Sequence, residues 1–117
     1  SEAFEKWIGN DGPAFRERPL PTVSEAVKMV HQSGGLTSLA HPYYYGIELD
    51  VLVPTLLRLG VDCIEAVHNS HPDSYRWKLM QQGFPVTVGG DSHGTENRPS
   101  PGKICVPIKQ LHPCFHP

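Results

Sequence analysis

An α/β fold with parallel strands is predicted for this chain of 117 residues. Three observations predict it: helix-spaced and strand-like runs alternate, a glycine closes each helix, and each strand is followed by a histidine or an aspartate. His41, His68 and Asp91 are those strand-end residues, 27 and 23 residues apart, which suits successive βα units with short loops. The repetition is one of architecture, because the units share no side-chain pattern beyond it.

The elements follow in order. Residues 1–22 form a lead-in, with a short helix over Glu2–Ile8 and then turn chemistry at Asn10-Asp11-Gly12-Pro13. Residues 23–106 carry the βα units. Thr22 or Ser24 caps the first helix, Val23, Ala26, Val27 and Val30 recur at helical spacing, and Gly34-Gly35 stops it. A β-prone run, Leu36–Ala40, ends at His41-Pro42. The second helix spans Leu49–Leu59 and closes at Gly60, with Pro54 either near its start or kinking it. Strand Val61–Val67 ends at His68; helix Ser74–Gln82 closes at Gly83; strand Pro85–Gly89 leads to Gly90-Asp91-Ser92-His93. Lys103–Ile108 reads as a fourth strand, limited to an edge by Pro107. Residues 107–117 are an irregular, Pro-rich tail that looks frayed.

Composition bounds the function. The length supports one small domain with thin margins of stability. A net charge of −2, mixed along the chain, argues against a broad nucleic-acid or membrane surface held by charge alone. Cys63, Cys105 and Cys114 form no CxxC pair, and an odd count without an apolar signal segment fits a reducing cytoplasm. Apolar stretches are broken by charges too often to span a bilayer.

The chemistry belongs at the carboxyl ends of the strands, where parallel α/β folds bind ligands. His41, His68 with His71, and Asp91 with His93 would all reach one rim of one sheet. Imidazole and carboxylate together suit zinc, manganese or iron. Each residue also has a plainer reading. His41 could be an exposed ring in a turn, and Asp91-Ser92-His93 an Asx-turn, although Gly89-Gly90 favours a close backbone approach. His68 and His71 lie in or beside the loop Asn69–Asp73 and are open between a site role and simple solvation. Glu65 could point into a barrel-like centre, but the solvent-facing reading is preferred. His31 reads as a helix-end cation or a partly buried ring. Tyr43-Tyr44-Tyr45 is a stacking surface for a base, a lid over the site or apolar packing, with packing preferred.

These blocks resemble a known family. Gly34–Pro42 is similar to the GG-x-x-x-x-AHP segment of PHP domains (polymerase and histidinol phosphatase). Leu59–His68 is similar to L-G-x-D-x-I-E-x-x-H, and Val88–Gly94 to the G-S-D-x-H-G segment, with Gly90 in place of the serine. The resemblance runs to about Val106 and implies roughly half of a distorted (β/α)7 barrel, the C-terminal portion of a metal-dependent phosphoesterase. It implies His41, Asp91 and His93 as metal ligands, with His68 matching a position that is histidine in some members. Asp91 would be the catalytic carboxylate, ligating the metal and orienting a water. Tyr44 and His71 would face substrate, a nucleotide or similar phosphate ester.

The chain also departs from that family. No H-x-H occurs, and Tyr44 stands where many stand-alone members carry a basic residue. The expectation is therefore a truncated hydrolase with a weak, incomplete divalent-metal site (Mn, Zn or Fe), inactive alone. The alternatives are a phosphoesterase assembled in trans, by a homo-oligomer or a complementing chain, and a non-catalytic oligomeric interaction module.

Overall fold

The computed structural model describes residues 6, 12–14, 16–96 and 99–117. The helix expected over Glu2–Ile8 lies outside the described residues, Lys6 apart, which is helical. Helix α1 runs Val23–Gln32. Thr22 and Glu25 fix its start reciprocally: the Glu25 amide donates to Thr22 Oγ1, and the Thr22 amide donates to the Glu25 carboxylate at 2.8 Å.

Strand β1 is only Ser38–Leu39, shorter than the β-prone run around it. Helix α2, Leu49–Leu59, continues past Pro54 and is stopped by Gly60 at φ 75°, a left-handed cap that glycine adopts without penalty. Strand β2 is Cys63–His68, helix α3 is Asp73–Met80, and strand β3 is Val86–Gly89. The sheet is open and parallel throughout, in the order β1-β2-β3.

One face of the sheet carries the core. Ile64 and Ala66 are fully buried against Val27 of α1, Leu52, Val53 and Leu56 of α2, and Leu79 of α3. Burial of a side chain such as Ile64 contributes roughly 1.5–3 kcal/mol. The other face is small and polar: Ser38 Oγ and Thr87 Oγ1 meet at 2.7 Å across the central strand. Helices on one face and short polar groups on the other suit a sheet that curves around a centre.

The fourth strand is not present. Residues 103–107 form no strand, and Ile108–Gln110 is a 3₁₀ turn. Pro107 withholds the amide that a ladder would need there. Instead Leu111 makes a single parallel bridge to Val86, and the His112 amide donates to the Val86 carbonyl at 2.9 Å. The tail is thus tied to the edge of β3 rather than frayed.

At the amino end of the sheet one carboxylate gathers three donors. Asp62 Oδ2 accepts the Thr37 amide at 2.7 Å, the Thr37 hydroxyl at 2.8 Å and His31 Nε2–H at 2.8 Å. The His31 bond, then the Thr37 amide, hold the Asp62 carboxyl down to about 2. His31 is therefore a tether from α1 to the start of β2. No helix among the described residues is long and apolar enough to cross a membrane.

Candidate functional site

The site lies at the carboxyl rim, and its central imidazole arrives there through an irregularity. Glu65 pairs with Thr87, Val67 with Val88 and His68 with Gly89, so β2 carries one extra residue between Glu65 and Val67. Side chains alternate along a strand, so an unbroken β2 would put His68 on the helix face with Ile64 and Ala66. The bulge reverses that phase and places His68 on the same face as Glu65.

Glu65 is not the solvent-facing charge preferred from its sequence context. It is partly buried, and its Oε2 accepts the His41 amide at 2.7 Å. Gly89 leaves room beside it, because a Cβ there would force the Glu65 carboxylate to shift. Glu65 thereby sets the backbone of the first candidate ligand from the neighbouring strand.

His41 and Asp91 share a second feature. They are the only described non-glycine residues with positive φ, at 33° and 52°. Left-handed backbone costs a branched-backbone residue of order 1–3 kcal/mol and persists where the surroundings impose it. Both residues stand at the rim, one after β1 and the other after β3.

The side chains there converge in part. The His41 and His68 rings are 5.7 Å apart, edge to face, and Tyr44 lies edge-on to both, at 5.3 Å and 6.2 Å. His68 Nε2 is 4.0 Å from Asp91 Oδ2. His93 is half exposed, and its Nδ1–H donates to the Asp91 carbonyl at 2.8 Å, which leaves the Nε2 lone pair for a ligand. His68 is arranged differently: its Nδ1 accepts the Ser70 amide at 3.1 Å, which puts the ring proton on Nε2, toward Asp91. Ligation through that Nε2 needs the other tautomer, with Nδ1–H donating to Ser70 Oγ at 2.7 Å.

His71 is brought near but behind. It is 3% exposed, its Nδ1–H donates to the Ala66 carbonyl at 2.9 Å, and its ring stands 5.3 Å from that of His68. Burial pushes its pKa down, so it is a neutral imidazole whose Nε2 lone pair has no partner. Tyr44, by contrast, is well exposed over the rim.

Among the described residues, five buried side-chain atoms lack a hydrogen-bond partner: His41 Nδ1, His68 Nε2, His71 Nε2, Tyr75 Oη and Arg76 Nε. The three imidazole nitrogens belong to this one cluster, Arg76 adjoins it through the His68 carbonyl, and the Tyr75 ring packs against His71 at its border. Each such group costs about 1–3 kcal/mol when left unsatisfied, so their concentration marks a place built for something other than stability. Arg76 was not anticipated from the sequence. It donates to the His68 carbonyl at 2.7 Å and steadies the turn that carries His68; the Asp73-x-x-Arg76 pair opening α3 is the signal that could have found it.

Cys63 alternates onto the same face as Glu65, and burial pushes its thiol up to about 11, so it stays protonated at neutral pH. Among the described residues no three His, Cys, Asp or Glu side chains stand close enough together to hold a metal ion. The donor types fit a divalent cation, and two of the nitrogens are buried and unpartnered, but the described residues offer only part of a coordination shell.

Known proteins bear on the fold. No family model matches the chain, and no curated protein does. Among solved structures it is similar to an amidohydrolase from Chromobacterium violaceum, solved with bound sulfate and no metal. The two superpose with a TM-score of 0.57 at 22% identity, over 78% of this chain. That likeness shows a shared α/β architecture of parallel strands and helices. The chain spans 34% of the length of that protein.

Proposed function

We propose that this chain is the C-terminal portion, residues 23–106, of a PHP-type metal-dependent phosphoesterase, and that it is inactive until further ligands join it. The observation that carries the reading is the approach of His41 and Asp91 to His68 at the carboxyl rim, with His41 Nδ1 and His68 Nε2 buried and unpartnered. A hydrolase-like fold in the solved neighbour supports the reaction class. His41, Asp91 and the Nε2 of His93 would hold a divalent cation such as zinc, manganese or iron. That cation, when bound, supplies charge neutralisation and a water acidic enough to attack a phosphate ester at neutral pH.

The chain's own residues have separable tasks. Asp91 presents its carboxylate toward the rim and orients the attacking water. His68, carrying its proton on Nε2, steadies Asp91. Glu65 fixes the His41 backbone, and Tyr44 shields the rim and meets the substrate, with His71 behind it. Further donors come from residues outside 23–106, from another chain or from a second copy, and β1, paired on one side only among the described residues, offers an edge for such a partner.

Cobalt titration and turnover of bis(p-nitrophenyl) phosphate with added manganese test the reading together. Expected are no turnover at low protein concentration and a weak cobalt absorbance band, lost in Asp91→Asn and His41→Ala. A cobalt spectrum unchanged by both substitutions overturns the proposal. Turnover that rises steeply with protein concentration identifies assembly in trans, whereas a stable oligomer that survives chelator and His93→Ala, without turnover, favours the interaction module.

A further inference from the structure

A cleft of about 480 Å³ opens away from the histidine cluster, between the turn leading into α2 and the face of α3. That volume is in the range of small-molecule sites. Tyr43, Ile47, Glu48 and Asp50 line one wall, and Tyr75 and Lys78 the other. It is separate from the rim: the Tyr43 ring, 6.2 Å from His71 and 5.1 Å from Tyr75, stands as a partition between the two.

The walls have complementary chemistry that is not internally satisfied. Glu48 occupies the cap position of α2, yet its side chain makes no cap hydrogen bond. Glu48, Asp50 and Lys78 make no ion pair among the described residues, so opposite charges face one another across the cleft without touching. Between them lie two phenol rings in edge-to-face contact, and the buried Tyr75 hydroxyl has no partner. Glu48 is near enough to Tyr75 to help burial raise its pKa. An aromatic surface flanked by carboxylates suits an ammonium group, and the lysine opposite suits a carboxylate.

We infer that this cleft binds a small zwitterion of the amino-acid class, its ammonium toward Glu48 and Asp50, its carboxylate toward Lys78, and its apolar part on Tyr43 and Ile47. Because the cleft is open, affinity is modest and selectivity is the informative quantity.

Amide-resonance titration of the ¹⁵N-labelled chain with phenylalanine, phenethylamine and 3-phenylpropionate tests this. Phenylalanine is expected to shift residues 43–50 and 75–78 saturably, and to bind roughly threefold to tenfold more tightly than either singly charged analogue. Lys78→Met should abolish the advantage over phenethylamine, and Glu48→Gln should shrink that over 3-phenylpropionate. Both residues are exposed, so an unchanged spectrum of each free variant confirms that the fold is intact. Equal affinity for the three probes, or shifts centred outside the cleft, overturns the inference.

Discussion

The two ends of the sheet use the same residue types to opposite effect. At the amino end, Asp62 and His31 are joined at 2.8 Å, and Thr37 adds an amide and a hydroxyl to the same oxygen. At the carboxyl end, Asp91 and His68 stand 4.0 Å apart, and nearby imidazole nitrogens are buried without partners. One end has spent its polar groups on holding α1, β1 and β2 together. The other leaves nitrogens of His41, His68 and His71 without partners, beside left-handed backbone, which is the arrangement expected where a ligand rather than the fold satisfies them.

That contrast can be broken from either end. The largest expected effect is at Asp62: Asp62→Ala should lower unfolding free energy by about 2 kcal/mol in a urea titration, since three donors lose one charged acceptor. Loss of a similar size at Asp91→Ala would erase the distinction. A smaller effect should appear in acid. The folded Asp62 carboxyl is depressed to about 2, so its contribution is complete above the ordinary carboxyl range and fades as pH falls from about 4 toward 2. In Asp62→Asn that part of the acid limb should flatten, as measured by denaturation at stepped pH. The smallest effect has the opposite sign. Asp91→Gly relieves a left-handed residue at φ 52° and should raise stability by about 0.5–1 kcal/mol by thermal melting while abolishing cobalt binding.

The sequence made the elements legible wherever local chemistry governed them. Thr22 with Glu25, Gly60, and the alternation of helix and strand runs are signals carried within a few residues, and α1, α2, β2, α3 and β3 fall close to where they point. It misled at Lys103–Ile108, where β-prone residues lack the amide at Pro107 and the chain turns instead. The rim was legible as a set of strand-end residues, but not as geometry. Period-two reading favoured an outward Glu65, because nothing in it reveals that Gly89 leaves space for that carboxylate. His71 could be seen as a neighbour of His68, while its burial depends on Tyr43 and Tyr75 from two other segments.

The extra residue in β2 gives the strand two phases in one length. Ahead of it, even-numbered side chains feed the core; beyond it, Val67 takes that duty and the even-numbered His68 turns to the rim. Pairing Ala66 directly with Val88 would leave the composition unchanged, yet carry Val67 to Gly89 and exchange an imidazole for an isopropyl group at the mouth of the sheet. A slip of register there is consequently a change of chemistry, which no count of residue types would register.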